Sequence, residues 1–567
     1  MDISLVPKDQ LLQDLRTRNS NSLEFIILMT GALDLTPESL CLLLQEATRV
    51  LKTGGALFVQ GLPQTLPEIG VFLDGHLNFK YWFAVESDYV KSTGLPSVHA
   101  AVMLFTKGNG RFNINQVRLP HKYCKACGRT LKDWGGKAHL MHPEGYVISD
   151  VLKDIAPANN YSQISQPLLD ILLEMLDFSK NKNYQKDELL DLPKAKICGL
   201  VSPKEGVPNQ YKLVSEPVFQ YTLPNFPQPI HKNGKEQSKT EISVVDKNNL
   251  FNVIHQGDAV EILKQYPDNS VDMVFADPPY NLDKDYIVYD DGRADKKYIE
   301  WCNEWLTEYI RILKPTGSLC VLNLPHWALY HAAFLNRHLY FQNWIVWDAL
   351  SEPRGKVMPA HYALLFYTKS SDKFTLNYDA ISPIDARYYC LRMSCIRNRK
   401  QSGKNDKVPL TDIWSDIHRI KHRRDRDYHP CQLPESLMSR IIKLTTNPGD
   451  VVLDAFGGTG TTPLTAVQLG RRYVAIDLDP YYVKIMQNKI EEFHTYGQIQ
   501  RESTKRASRK ITKKALQLEL RRLSLDLGRL PTPTDVEEKS QYNLDLFLEN
   551  FPTWGKALKA AKLETES

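Results

Sequence analysis

The stretch "PGDVVLDAFGGTGTTPLTAVQLGRRYVAIDLDP", Pro448 to Pro480, carries the reading from which the fold follows. Val451 to Leu453 read as a buried strand. Gly457, Gly458 and Gly460 then let the backbone turn and approach a ligand, and a helix starting near Thr461 presents its N-terminus. A second strand ends in acids, with Asp477 about 20 residues on from the loop and placed to accept from ribose hydroxyls. This is the β-α-β unit that binds an adenosine-containing cofactor. A glycine loop by itself is weak evidence, since many strand-to-helix turns need glycine for shape alone. A second stretch adds weight: in "VDMVFADPPYNL", Val271 to Leu282, an apolar run ends in an acid, two prolines and a tyrosine. That is poor material for strand or helix, so chemistry is the better reason for it.

The chain has 567 residues, which at about 100 to 200 residues per domain predicts three or four units. Apolar residues make up 42% and charged residues 24%, and no window approaches the roughly 18 uninterrupted apolar residues of a membrane helix. Residues 1–20 carry charges where a signal peptide needs its apolar core. Nine cysteines, scattered except for Cys124 and Cys127, do not read as a disulfide framework. The expectation is a cytoplasmic protein with reduced thiols and no membrane partner. The net charge of +5 is small, but basic residues cluster between Arg387 and Arg426 and again from Arg501 to Lys514. Such clusters are more often solvated surface than phosphate sites.

Self-similarity is informative. "RVLKTGGALFV" from Arg49 matches "RILKPTGSLCV" from Arg311, "HAAVMLFTK" from His99 matches "HYALLFYTK" from His361, and "SDVLKDI" from Ser149 matches "TDIWSDI" from Thr411, all at an offset of 262 residues. One register held over a hundred positions predicts two copies of one fold, each with a helix ending at "LK", a buried strand after the glycine, and another strand ending in "TK". The first copy has "LMTGALDL" where the second has "FADPPYNL", which sets Thr30 opposite Asp277 and leaves the first copy without the chemistry.

Together these residues resemble the S-adenosylmethionine-dependent DNA amino-methyltransferases. The order, "DPPY" first, "DAFGGTGTT" last and a basic segment between, is similar to the β class, and the resemblance covers roughly Asn252 to Phe493. It implies an α/β fold with a permuted, Rossmann-like seven-stranded sheet. It also implies that Asp258, Asp277, Gln432, Pro434, Asp454, Phe456, Gly457, Gly458, Gly460, Thr461, Thr462 and Asp477 hold S-adenosylmethionine, with His429 and Pro430 in the segment that closes over its methionine end. Asp277, Pro278, Pro279 and Tyr280 become the catalytic loop. An exocyclic base amine is a poor nucleophile because its lone pair is delocalised. The Asp277 carboxylate and the Pro278 carbonyl can each accept one of its N–H groups and turn that lone pair toward the methylsulfonium, while the prolines stiffen the turn. Tyr280 stacks on the base, which must be flipped out of the duplex.

"DPPYN" is more typical of adenine enzymes, so adenine N6 is favoured over cytosine N4. A non-catalytic DNA-binding module with a methyltransferase fold is the competing class. RNA is a weaker substrate alternative. Pro430-Cys431-Gln432 resembles the nucleophile site of C5-cytosine methyltransferases, but covalent attack on the ring has no use for an amine-orienting loop, and Cys431 reads as a spectator. The basic segment lies within residues 370–428, where the β class carries its target-recognition region. Arg392, Arg397, Arg399, Lys400, Arg419, Lys421, Arg423 and Arg424 are therefore candidates for contact with double-stranded DNA. The resemblance leaves room for a cognate restriction endonuclease as a further partner.

The expected organisation is a degenerate methyltransferase-like domain over 1–200, a linker over 201–249, a catalytic domain over 250–495, and a basic segment with a small helical unit over 496–567. The first copy is expected to serve as an internal partner, making the monomer a pseudo-dimer. Cys124 and Cys127, with His139 and His142, can complete a structural zinc site in the first copy alone. The histidine gap is shorter than usual, and a reduced loop pair is the alternative. "LGRLPT" from Leu527, with Phe551 and Trp554, is similar to the homing-endonuclease-associated repeat, a small helical unit found beside DNA-acting domains. A plain helical hairpin packed on Trp554 is the alternative.

Overall fold

The computed structural model describes residues 10–30, 36–86, 95–108, 114–131, 139, 141–153, 155, 164–176, 196–197, 245–246, 249–282, 292–349, 356–386, 388–390, 392–403, 407–420, 432–497, 513–540, 542–551 and 553–563. Most of the linker, the block 501–512, and Lys421, Arg423, Arg424, His429, Pro430 and Cys431 lie outside the described residues. Two compact units divide the chain, Met1–Phe493 and His494–Ser567.

In the first unit, strands β1 (Leu23–Met29), β2 (Leu51–Gly61), β3 (Asn78–Glu86) and β4 (His99–Thr106) are followed by the short pair β5 (Arg118–Leu119) and β6 (Tyr146–Val147), then β7 (Val151–Leu152) and β8 (Lys196–Ile197). The order β7-β3-β4-β2-β1-β8 makes one six-stranded sheet. Strands β9 (Val253–Gln256), β10 (Val271–Ala276), β11 (Leu313–Asn323), β12 (Tyr340–Asp348) and β13 (His361–Thr368) come next, then the pair β14 (Ile384–Asp385) and β15 (Lys407–Val408), then β16 (Ile413–Trp414), β17 (Val451–Asp454) and β18 (Arg472–Asp477). The second sheet runs β16-β12-β13-β11-β10-β17-β18-β9, seven strands plus the two-residue edge strand β16. Its first five positions repeat the order β7-β3-β4-β2-β1, with the same mix of parallel and antiparallel neighbours, so the repeat seen in the sequence is a repeat of sheet order.

Helices follow the same plan. Helices α1 (Leu11–Thr17), α2 (Pro37–Val50), α3 (Leu66–Asp74) and α4 (Gln166–Met175) belong to the first copy. The second copy has α5 (Ala259–Leu263), α6 (Asp295–Ile312), α7 (Pro325–Leu335), α8 (Met393–Gln401), α9 (Glu435–Thr445), α10 (Thr461–Gln468) and α11 (Pro480–Tyr496). Two expectations shift by a little. Helices α2 and α6 stop before "LK", because Leu51 and Leu313 already pair with Leu23 and Val271 in the sheet. The same pairing sets Leu28 opposite Val59 and Ala276 opposite Val321, so Met29, buried and apolar, stands where Asp277 does, and Thr30 falls one position later. The Thr30 hydroxyl donates to the Gln60 carbonyl at 2.9 Å.

The two copies pack through residues related by the repeat offset. Trp82 and Trp344 stack with centroids 4.0 Å apart and planes 3° from parallel. Asp412 of the second copy accepts from Val98 N (2.8 Å) and Ser97 Oγ (2.6 Å) of the first. Its counterpart Asp150 accepts from Ala360 N (2.8 Å) and His361 N (3.0 Å) of the second. The backbone repeats the exchange, Asp412 N donating to Pro96 O and Asp150 N to Met358 O, both at 3.1 Å. Helix α3 lies against α7, where a side chain on Gly70 would meet Leu329 Cδ2 at 2.8 Å. One apolar core runs continuously through both copies, from Leu11 to Ile476.

In the second unit α12 (Lys513–Leu527), α13 (Pro533–Lys539), α14 (Leu544–Asn550) and α15 (Trp554–Ala560) enclose Leu516, Leu520, Val536, Phe547 and Phe551. Thr532 and Asp535 cap α13 reciprocally, and Trp554 Nε1 donates to Pro531 O at 3.1 Å.

Truncating either stacked tryptophan should cost about 3–5 kcal/mol, the range for a buried Trp→Ala change. Urea unfolding should show Trp82→Ala and Trp344→Ala each destabilising the chain, and the double variant should fall short of the sum because the rings share one contact.

Candidate active site

Strands β10 and β17 are parallel neighbours, Met273 opposite Val452 and Phe275 opposite Asp454. From β10 the chain continues to β11 on one side; from β17 it continues to β18 on the other. Such a switch point opens a crevice at the carboxyl ends of the strands. A cavity lies there, and Asp277, Pro278, Pro279 and Tyr280 line it together with Asp454, Phe456, Gly457, Gly458, Thr461 and Thr462. Asp477 at the end of β18, Asp258 after β9, and Gln432 complete it. Among the residues expected to hold the cofactor, Pro434 and Gly460 do not line the cavity. Each instead caps a helix, α9 and α10, and Gly460 does so at φ +82°. A Cβ on Gly457 or Gly460 would press on Met486 of α11, at 2.8 and 2.7 Å, so helix packing also demands these glycines.

The loop after β10 is braced from several sides. The Tyr280 hydroxyl donates to Asp277 Oδ1, Trp327 Nε1 donates to the Tyr280 carbonyl at 2.8 Å, and the Tyr298 hydroxyl donates to the Pro279 carbonyl at 2.6 Å. Tyr280 is 5% exposed and lines the cavity beside Asp277. Tyr309 joins the two strand ends: its hydroxyl donates to Phe275 O at 2.8 Å and accepts from Ala455 N at 2.9 Å.

The two strand-end carboxylates hold the glycine loop. Asp454 accepts from Phe456 N at 2.9 Å and from the Thr462 hydroxyl. Asp477 accepts from Gly458 N at 2.7 Å and Asp479 N at 2.9 Å. Burial pushes the Asp454 carboxyl up to about 6 against those donors. Burial, with the charges of Asp479 and Asp454, pushes Asp477 up to about 7. Oδ2 of Asp477 thus braces the glycine loop while Oδ1 holds the turn into α11, roles the sequence reading did not assign.

Trp301, Arg293 and Tyr482 also line the cavity and were not expected. The Arg293 guanidinium lies 5.0 Å from the Trp301 ring, and Phe456 meets that ring edge-on at 5.7 Å. On α6, Tyr298, Trp301, Trp305 and Tyr309 recur at helical spacing. Three of them are fully buried, and Trp301 is the one turned to the cavity.

The expected DNA-contacting residues separate. Arg397 and Lys400 are exposed on α8. Arg399 is 2% exposed, donating to the Cys390 carbonyl, so it is a structural residue rather than a surface one. Arg392 donates to Thr130 O at 2.7 Å, and Arg419 to the Tyr362 hydroxyl at 3.3 Å. The expected Cys-Cys-His-His set is also corrected. Cys124 and Cys127 meet Cys390 and Cys395 of the second copy, all four sulfurs within 4.8 Å of one another. His142 is exposed, and its Nδ1 accepts from Glu144 N; His139 is exposed too. The sequence spacing hid the second pair because its cysteines lie five apart and in the other copy.

A mixed, mainly parallel sheet with a ligand cavity at its switch point, a glycine loop braced by two strand-end acids and a proline-stiffened acidic loop beside it define a Rossmann-like transferase. The DNA methylase family matches residues 271–488. Type II methyltransferase M.BamHI of Bacillus amyloliquefaciens is 38% identical over 44% of this chain, which spans 61% of that protein's length. DNA adenine methyltransferase YhdJ of Escherichia coli K12 is 32% identical over 44% of this chain and 86% of its own. The solved M1.HpyAVI-SAM complex is 23% identical over 42% of this chain and 98% of its own, with a TM-score of 0.30, too slight a likeness to carry argument. The chain belongs to the DNA methylase family, the S-adenosylmethionine-dependent DNA amino-methyltransferases. Residues 511–564 match the homing endonuclease associated repeat. No helix among the described residues is long and apolar enough to cross a membrane.

Because the folded state keeps a proton on Asp477 up to about pH 7 while an unfolded carboxyl releases it near 4, this group's contribution to stability falls as pH rises through that window. The parent should therefore lose stability relative to Asp477→Asn between pH 4 and pH 7. Urea unfolding of both proteins at the two pH values measures the gap.

Proposed function

We propose that this protein methylates the N6 amine of adenine in duplex DNA. The observation that carries the reading is that the loop Asp277–Tyr280 and the glycine loop after β17 line one cavity at the ends of adjacent strands. The cavity suits an adenosine-bearing cofactor: Asp477 and Asp258 offer acceptors for its hydroxyl and amine groups, and Trp301 and Phe456 offer aromatic surface. S-adenosylmethionine bound there supplies an electrophilic methyl group. The Asp277 carboxylate and the Pro278 carbonyl orient the base amine, and the Tyr280 hydroxyl fixes the carboxylate in place.

The name of YhdJ supports adenine, as does the asparagine after "DPPY". Nucleoside analysis of DNA from cells expressing the protein tests it: N6-methyladenine is expected, N4-methylcytosine would move the reading to cytosine, and unmodified DNA would favour a non-catalytic binding module. Arg397, Lys400 and Arg419 are proposed to contact the DNA. A cognate restriction endonuclease fits the type II methyltransferase relatives.

The first copy is proposed to act as a built-in, catalytically inert partner. Met29 in place of the acid, Thr30 spent on Gln60, and the exchanged aspartates Asp150 and Asp412 support this.

Asp277→Ala should abolish methyl transfer, with activity down by 10² or more as for loss of a group acting on the transition state, while cofactor affinity falls far less because the glycine loop, Asp258 and Asp477 remain. Single-turnover assays and calorimetry separate the two. Calorimetric titration of the full chain, with its mass measured by light scattering, should give one S-adenosylmethionine per monomer. Two sites per chain would remove the inert-partner reading.

A further inference from the structure

We propose that Cys124, Cys127, Cys390 and Cys395 bind one structural zinc ion that clips the first copy to the target-recognition part of the second. The four sulfurs lie within 4.8 Å of one another, with Cys124 Sγ 3.7 Å from Cys395 Sγ and Cys127 Sγ 3.6 Å from Cys390 Sγ. A zinc–sulfur bond of about 2.3 Å in a tetrahedron sets the sulfurs about 3.8 Å apart. Those two separations match that edge and are far from the roughly 2.0 Å of a disulfide.

The surroundings are built for thiolates. Cys390 N donates to Cys124 Sγ at 3.3 Å, and Arg399 Nη1 reaches Cys395 Sγ at 3.3 Å. Gly128, at φ +66°, closes the Cys124-x-x-Cys127 turn, its N–H bonded to the Cys124 carbonyl at 2.9 Å. The Arg399 guanidinium, 2% exposed, lies 4.4 Å from the Tyr389 ring. Negative charge on the sulfurs is favourable beside that guanidinium. Four thiolates around a divalent ion leave net negative charge at that spot. Zinc fits the all-sulfur donor set, and four protein ligands fill its tetrahedron, which makes the site closed and structural.

Each copy contributes two ligands. The second pair flanks the start of α8, the helix that carries Arg397 and Lys400. Lys125 N donates to the Tyr388 carbonyl at 3.1 Å and Arg392 to Thr130 O, so the ion would close a joint whose backbone is already stitched.

Elemental analysis of the full chain purified without chelator should give one zinc per chain. Cobalt(II) added after chelation should give the visible absorption of a tetrahedral site, with intense sulfur-to-metal charge transfer. Cys390→Ser with Cys395→Ser should lose the metal; His139→Ala with His142→Ala should keep it. Should the cysteine variant fail to fold, the cobalt spectrum of the parent still decides. A parent that binds no metal, a mass lower by the hydrogens of two disulfides, a spectrum without the thiolate bands, or full zinc in the double cysteine variant would each overturn the assignment.

Discussion

The parallel pairing of β10 with β17 is the contact on which the active region depends. It joins strands separated by more than 170 residues of chain, and only their adjacency brings the Asp277 loop to the glycine loop. Tyr309 adds a side-chain stitch across the two strand ends. The rest of the sheet can be seen as support for that seam: β11 and β13 fix the register of β10, while β18 and β9 carry Asp477 and Asp258 to the far wall of the cavity. Any change that slid β10 against β17 by one residue would reverse which side chains face the crevice.

Buried carboxylates recur as the device that holds loops and copies together. Asp454 and Asp477 take backbone N–H groups of the glycine loop, and Asp150 and Asp412 take backbone N–H groups from the opposite copy. Burial also pushes Asp150 up to about 7. A carboxylate serving two N–H donors is a precise joint, because each oxygen accepts along a restricted direction. It is also an electrostatically costly one, so these positions are where a substitution would be felt most.

Much of this was legible in the sequence, for definable reasons. The β-α-β unit announces itself because an all-buried parallel strand reads as an unbroken apolar run and the turn into α10 needs glycine at positive φ. The repeat was visible because three segments kept one offset. What stayed hidden depends on contacts between distant parts. Trp301 carries no signal of its own in the sequence, since periodicity does not tell which member of an aromatic stripe faces a cavity. Arg399 looked like surface charge until the fold buried it among cysteines. The partners of Cys124 and Cys127 lie more than 260 residues away, beyond the reach of any spacing rule. The alignment of Thr30 with Asp277 was off by one, because strand register is set by β2 and β11, not by similarity of the loops.

The stacked pair Trp82 and Trp344 has a consequence for how the halves meet. In an assembly of two separate chains, such a contact forms only as fast as the partners find each other, and dilution pulls it apart by mass action. Here one polypeptide carries both rings, so their encounter is unimolecular and its extent does not change with the amount of protein present. The two sides are also encoded separately: an alteration at one ring leaves the other untouched, whereas a symmetric pair would receive every change twice.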